Sequence, residues 1–312
     1  MDKQSVLILG GLGYVGSRLS QVLSAQPEKY EVDINDMCWY QHDANIDRRD
    51  YQKYTAKELE KYDVIVVLAG HSSVKSCEGP ITSPWLNNVS NFVELLKKTS
   101  RRQLIIYASS ASVYGNSVPG EKHIEESLNF LPINNYDVTK YALDQQATLA
   151  NIQGRRVIGL RFGTVNGWSP NLRCDVMINA MYETVQRGES IQVFNKHISR
   201  AILGIEDLCR AIDTCISKPS LGIYNLASFN DTVENIAVKV AKKLNVKVED
   251  HGNKGKAYDF SLDTTKFEQV YEFKFNETVE SIIDSLNERY KESTIHHRNN
   301  YMIYNWEPNY GI

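Results

Sequence analysis

The 312-residue chain has no disulfide framework: its five cysteines, Cys38, Cys77, Cys174, Cys209 and Cys215, are odd in number and include no Cys-x-x-Cys pair. That usage suits reduced thiols in a cytoplasmic protein, not a stapled secreted fold. An excess of charge is also missing, because a net charge of −3 leaves no footprint for nucleic acid or an anionic membrane. No stretch approaches the roughly 18 apolar residues of a membrane span, and the short apolar run at the N-terminus leads into a glycine loop, unlike a signal peptide. The seven histidines are scattered, and the adjacent His296-His297 pair lacks helical ligand spacing, so no metal is expected. Repeats, low-complexity tracts and linkers rich in Pro, Gly or Ser are absent as well. What remains is an ordinary apolar content of 42%, enough to bury a large core as one α/β unit or two unequal lobes.

The first informative pattern begins at residue 5. Ser5-Val6-Leu7-Ile8-Leu9 is fit for a buried strand, and Gly10-Gly11-Leu12-Gly13-Tyr14-Val15-Gly16 follows, then a helical stretch from Ser17 to Ala25. Glycines at 10, 13 and 16 allow a tight turn, a close backbone approach to a pyrophosphate, and contact of helix with strand, with the diphosphate on the helix N-terminus. A second strand, Tyr30 to Asp36, ends in an acid placed to accept from an adenosine ribose diol. Asp36, twenty residues past Gly16, is favoured over Asp33 for that part. A carboxylate there repels a 2′-phosphate, which selects NAD over NADP.

Further strands are expected at Val64 to Leu68, Gln103 to Ala108 and Arg156 to Arg161, separated by helices near Pro84 to Ser100 and Tyr136 to Asn151. Such alternation predicts an α/β fold, a doubly wound parallel sheet with ligands at the carboxyl ends of its strands. Ala69-Gly70, Ser109-Ser110 and Phe162-Gly163-Thr164 all fall at those ends.

Tyr136 and Lys140 stand four residues apart, one above the other on a helix face. A free phenol with a pKa near 10 is a poor base at neutral pH, and a nearby ammonium favours the phenolate. Tyr136 can then take a proton from a sugar or alcohol hydroxyl as hydride leaves the same carbon. With 18 tyrosines in the chain the motif alone is weak, and its weight comes from the glycine loop.

Together these segments resemble the extended short-chain dehydrogenase/reductases, of the nucleotide-sugar epimerase/dehydratase type that includes UDP-glucose 4-epimerase. The likeness runs through most of residues 5 to 290. It rests on Gly10-x-x-Gly13-x-x-Gly16, Asp47-Arg48, Leu68-Ala69-Gly70, Asn88, Ser110-x-x-x-Tyr114-Gly115, Tyr136-x-x-x-Lys140 and Arg161-Phe162-Gly163-Thr164-Val165-Asn166-Gly167. The resemblance implies a Rossmann-type NAD-binding part over 1–165, a smaller substrate lobe mainly over 166–290, with segments returning to the sheet near Ile202 to Ile205 and Gly222 to Leu226, and a tail over 291–312. It adds Tyr14, Val15, Asp47, Arg48, Leu68, Ala69, Gly70, Asn88, Ser109 and Phe162 to the expected NAD contacts, beside Tyr136 and Lys140.

For the substrate, a nucleoside diphosphate sugar, the resemblance points to His71, Ser72, Thr164, Asn171, Leu172, Arg173 and Arg200, with Ser110 and Tyr136 on the reacting hydroxyl. An arginine at position 200 suits a diphosphate, being always charged and able to grip two oxygens. Asp263-Thr264-Thr265-Lys266 resembles the family's Asp-x-Ser-Lys helix start, but only Lys254 and Lys256 stand where relatives place a second arginine. Catalysis is expected from Ser110, Tyr136 and Lys140. The 4,6-dehydratases carry Thr-Asp-Glu where this chain has Ser110-Ala111-Ser112, and alanine transfers no proton; the Cys of 3,5-epimerising reductases is missing too. A 4-epimerase working through a transient 4-keto sugar is the favoured reading, with a reductase, a dehydratase, or a non-catalytic NAD-binding sensor or scaffold as alternatives. Family members commonly form homodimers. The aromatic residues Tyr301, Tyr304, Trp306 and Tyr310 suggest a tail that docks on its own fold or on a partner.

Overall fold

The computed structural model describes residues 3–39, 46–115, 121–127, 132–255 and 257–296. The strands in chain order are β1 (Gln4–Leu9), β2 (Tyr30–Asn35), β3 (Val64–Val67), β4 (Leu104–Ser110), β5 (Arg156–Phe162), β6 (Thr164–Asn166), β7 (Asn171–Arg173), β8 (Ser199–Gly204), β9 (Gly222–Leu226), β10 (Phe229–Thr232) and β11 (Thr294–His296), with four further strands of two or three residues. Six of them form one sheet in the order β2-β1-β3-β4-β5-β9, and every neighbouring pair is parallel.

A parallel sheet covered on both faces needs strands apolar on both sides, which β1 and β3 supply as near-continuous runs of Val, Ile and Leu. Successive side chains then divide between two cores. Val6, Ile8, Val64 and Val66 face helices α1 (Tyr14–Ser24) and α5 (Ile205–Ser217). Leu7, Leu9, Ile65 and Val67 face α2 (Asn91–Lys98) and α3 (Asn135–Ile152). This is the doubly wound α/β architecture, with the glycine turn between β1 and α1 at the carboxyl edge of the sheet.

The first core does not stop at the sheet. It continues through α4 (Met177–Gln186), α6 (Val233–Leu244) and α8 (Val279–Arg289), whose Ile178, Tyr182, Ile236, Val240, Ile282 and Leu286 belong to the same buried cluster. The smaller lobe is therefore fused to one face of the sheet.

Three expectations need adjustment. The helix after the glycines starts at Tyr14, three residues before Ser17, so Gly16 lies in its first turn. The segment expected to return at Ile202 to Ile205 forms β8, which ends at Gly204 and pairs with β6 and β10 in a separate three-stranded sheet; of the two, Gly222–Leu226 alone rejoins the central one. The helix expected over Pro84 to Ser100 is broken: a short α turn, Thr82–Trp85, passes into a wider π turn, Leu86–Ser90, before α2. β11 pairs with β7 in parallel, so the start of the tail does dock on its own fold, whereas Tyr301, Tyr304, Trp306 and Tyr310 lie outside the described residues.

Candidate active site

The carboxyl ends of β1, β3, β4 and β5 open onto a cavity of about 540 Å³, with a recess of about 100 Å³ on the side of β2. The recess is formed by the glycine turn. Gly10 has φ +84°, and a Cβ on it would lie 2.7 Å from the Ala69 backbone nitrogen; a Cβ on Gly16 would lie 2.1 Å from the Gly10 carbonyl oxygen. Only glycine lets the turn fold so tightly against β3 and the first turn of α1. The helix N-terminus, where backbone N–H groups have no intrahelical partner, is thereby brought to the cavity wall.

Asp36 lines the recess beside Gly10 and Gly13. Its carboxylate accepts from the Leu12 and Cys38 backbone N–H groups at 3.0 and 2.7 Å, and burial still holds its pKa above the usual range. Asp33, the competing acid, is engaged elsewhere by Lys61 and the Tyr62 hydroxyl, at 2.8 and 2.7 Å. Tyr14, Val15, Leu68, Gly70, Ser109 and Phe162 line the cavity and Ala69 the recess. Ser109 Oγ is buried and, among the described residues, has no hydrogen-bond partner.

Several candidates stand elsewhere. Asp47 and Arg48 line neither space; the Asp47 carbonyl accepts from Asp36 N–H and Asn35 Nδ2, so it supports the turn that carries Asp36. Asn88, turned inward by the π segment, accepts the His71 N–H and donates to the His71 carbonyl and Thr139 Oγ1, bracing the loop after β3 against α3. His71 is buried with its ring beside Ser83, and burial pulls its pKa down to about 4. Asn171 grips the Leu12 carbonyl at 2.6 Å, and Leu172 is wholly within the core. His71, Asn171 and Leu172 were expected on the substrate; in each case the side chain serves the frame of the cavity, because the neighbouring loop or core captures it.

Ser72, Ser110, Tyr136, Lys140, Thr164, Arg173 and Arg200 share the one cavity. Lys140 donates to the Ala108 carbonyl at 2.9 Å and lies 5.7 Å from the Tyr136 ring centre; burial brings its pKa down to about 8, against the opposing pull of Cys77 and Asp144. The expectation that Tyr136 is acidified needs correction here. Burial raises the phenol above its ordinary value, and a hydrogen bond with Ser110 and the charge of Arg173 offset only part of this. Lys140 is spent first on a carbonyl. Arg173 is held by Asp175 and the Ser72 carbonyl. Arg200 reaches Thr164 and the Tyr258 carbonyl, packs over Phe260 at 5.6 Å, and keeps a buried Nε with no hydrogen-bond partner among the described residues, its pKa lowered by burial. An under-partnered guanidinium at the end of the cavity opposite Asp36 is the chemistry that receives an anion.

Residues 6–227 match the NAD-dependent epimerase/dehydratase family. The chain belongs to that family. It is 24% identical over 258 residues to an ADP-L-glycero-D-manno-heptose-6-epimerase of Brachyspira hyodysenteriae, covering 77% of this chain and 80% of that one. It is 28% identical over 183 residues to a UDP-glucose 4-epimerase of Halalkalibacterium halodurans, covering 54% and 53%. The fold superposes on the UDP-glucuronic acid 4-epimerase of Bacillus cereus, solved with UDP-glucuronic acid and NAD, with a TM-score of 0.79 at 18% identity over 92% of this chain and 99% of the other.

Within this family member, sequence reasoning missed several cavity residues. Phe194, Asn195, Ile198, Tyr258 and Phe260 line the far end, brought there by β8 and the segment before α7 (Thr265–Tyr271). An aromatic pair two residues apart ahead of Asp263 was the available signal. Lys254, one of two proposed substitutes for a second arginine, lies over Phe194 at 4.9 Å, and Lys256 falls outside the described residues.

Proposed function

We propose that the protein is an NAD-dependent nucleotide-sugar epimerase of the 4-epimerase kind. The observation that carries the reading is that Ser110, Tyr136 and Lys140 share one cavity with the glycine turn on one side and Arg173 and Arg200 on the other. That span matches a dinucleotide and a sugar nucleotide meeting at the phenol. The glycine turn, Asp36 and Ser109 hold NAD, which when bound supplies the hydride acceptor. Tyr136 removes the proton from the sugar hydroxyl, Ser110 aligns that oxygen and stabilises its developing charge, and Lys140 contributes the nearby cation. Arg200 and Arg173 would receive the diphosphate, and Ser72 and Thr164 line the space in which a keto sugar would turn.

Loss of water is disfavoured because Ala111 stands where a dehydratase needs an acid. Incubation with UDP, GDP, CDP, dTDP and ADP sugars, followed by NMR of the products, tests the reading. An inverted carbinol centre with no net change of cofactor is expected; dehydration or stoichiometric consumption of reduced cofactor rules the reading out.

We further place the protein in the cytosol as a homodimer. Its five cysteines are unpaired thiols. On α3, Leu149 and Ile152 are left 47% and 78% exposed, an apolar end suited to a second copy. Sedimentation at low micromolar concentration should give twice the chain mass.

A further inference from the structure

Arg200 and Tyr136 stand on different parts of the fold, the first in β8 of the three-stranded sheet and the second at the start of α3, which packs on the central sheet. A nucleotide sugar that reaches from one to the other needs their separation held. Segment 258–262 lies between them. Phe260 and Leu262 share a buried apolar cluster with Ala111, Val113 and Tyr114 of the turn that follows Ser110. The Ser199 N–H donates to the Asp259 carboxyl at 2.8 Å and the Phe260 N–H to the Ser199 carbonyl at 3.1 Å, which lays the segment along the start of β8.

Tyr258 touches both ends at once. Its carbonyl accepts from Arg200 Nη1 at 3.2 Å. Its hydroxyl donates to Asp137 Oδ1 and Oδ2, at 2.8 and 3.0 Å, and accepts from the Asn134 amide. Asn134 is the N-cap of α3, accepting the Asp137 N–H at 3.0 Å, and Asp137 is the residue after Tyr136. An ionised carboxylate only accepts, and burial beside it pushes the Tyr258 phenol up, so the hydroxyl remains the donor. Capping of α3 accounts for Asn134 and for the place of Asp137. It does not account for a further partner drawn from 121 positions along the chain, on a residue that itself lines the cavity. A tyrosine has a rigid ring and two side-chain torsions, so its carbonyl and hydroxyl make a spacer of nearly fixed length.

We propose that Tyr258 is a positioning residue for the reaction, a spacer that fixes the Tyr136 oxygen relative to the Arg200 guanidinium. The inference rests on the epimerase reading and names what sets its geometry. A nucleotide sugar held by its diphosphate at Arg200 meets Tyr136 with its reacting hydroxyl already in place. Tyr258 transfers no proton; it acts through Asn134 and Asp137 on the first turn of α3, the turn that carries Tyr136. Binding energy collected at the diphosphate thereby contributes to orientation at the reacting carbon, which appears in kcat and not in affinity. Phe260 and Leu262 hold the same segment against the turn after Ser110, so both hydroxyl-bearing groups of the reaction are referred to one strap.

Tyr258→Phe removes the hydroxyl and keeps both the ring beside Phe260 and the backbone carbonyl that Arg200 uses. In turnover of UDP-glucose it should lower kcat roughly tenfold to a hundredfold, with KM and the calorimetric affinity for UDP unchanged. An unchanged kcat, or a loss confined to KM, overturns the proposal. The substitution also leaves a buried carboxylate one donor short, which costs stability. Adding Asp137→Asn removes that charge, so the double variant should melt higher than Tyr258→Phe and stay as slow; recovery of turnover with stability would assign the loss to folding and overturn the spacer. Should Tyr258→Phe fail to fold, the double variant carries the kinetics. The position of Tyr136 is read without substrate by NMR of ligand-free protein labelled with 13C at the tyrosine Cζ, its resonance identified by Tyr136→Phe. That resonance should shift and broaden in Tyr258→Phe; unchanged position and width overturn the proposal. Because the spectrum needs no turnover, failure of the spacer and failure of the epimerase reading are told apart.

Discussion

Tyr136 illustrates what spacing along a helix reveals and what it hides. Four residues between phenol and ammonium fix the shared face, and Tyr136 and Lys140 do line the same cavity. The spacing carries no information on the local dielectric, and burial raises the phenol while lowering Lys140 to about 8. At pH 7 the ammonium is still the main form, and above pH 8 it is progressively lost. Replacing Tyr136 with Phe removes the phenol oxygen and little else, so turnover should fall at least about a hundredfold while NAD binding, followed by fluorescence, persists; near-normal turnover would remove Tyr136 from the reaction. Asp36 makes a separate prediction. Its carboxylate sits in the recess, whereas Asp33 is held by Lys61, so Asp36→Ala should narrow the preference for NAD over NADP. An unchanged ratio of the two dissociation constants would show that neither acid reads the ribose. Residues such as His71, Asn171 and Leu172 were misjudged for one shared reason: proximity in sequence to a strand end does not say which neighbour captures the side chain, and Asn171 is taken by a carbonyl 159 positions away.

Elements were legible wherever local pattern and global packing agreed. The six central strands lie within a residue or two of their expected positions; β1, β3, β4 and β5 are compact apolar runs buried for most of their length, while the edge strand β2 alternates Tyr30, Val32 and Ile34 with Glu31, Asp33 and Asn35. Legibility failed where one pattern fits two destinations. The Ala201-Ile202-Leu203 run of β8 reads like a central strand, yet its partners are β6 and β10. The π turn at Leu86–Ser90 was also invisible, since it follows from the need to turn Asn88 toward His71 and Thr139, not from propensity. The glycine turn is the element most exposed to test. A methyl group at position 16 would lie 2.1 Å from the Gly10 carbonyl oxygen, and backbone cannot yield as a side chain can. Gly16→Ala should therefore cost about 1–3 kcal/mol in stability by overpacking and weaken NAD binding as the turn shifts. Paired thermal unfolding and cofactor titration check it: wild-type affinity would place NAD away from this turn.

At the scale of the molecule, the smaller lobe is joined to the sheet by an exchange of carboxylates around the start of α5. Glu277 accepts from the backbone N–H groups of Glu206 and Asp207, while Asp207 accepts from those of Asn276 and Glu277 and from Ser228, and is paired with Arg210. A Cβ on Gly204 would meet the Glu277 carboxyl at 1.8 Å, so the chain must be bare at that point for the clasp to close. Burial, with Asp207 and Glu206 alongside, pushes Glu277 up to about 7 from an ordinary carboxyl value of 4.5. Between those two values the folded protein binds a proton that the unfolded chain has released. Stability from this group is therefore fully present below about pH 4.5, declines as pH rises, and has been lost once pH passes 7, on the order of 3 kcal/mol in all. Glu277→Gln keeps a carbonyl oxygen to accept from α5 and cannot ionise. Relative to wild type, its unfolding free energy should gain little at pH 5 and most at pH 8. Parallel curves for the two proteins from pH 5 to 8 would mean that Glu277 stays ionised in the clasp and that the N-terminus of α5 outweighs its burial.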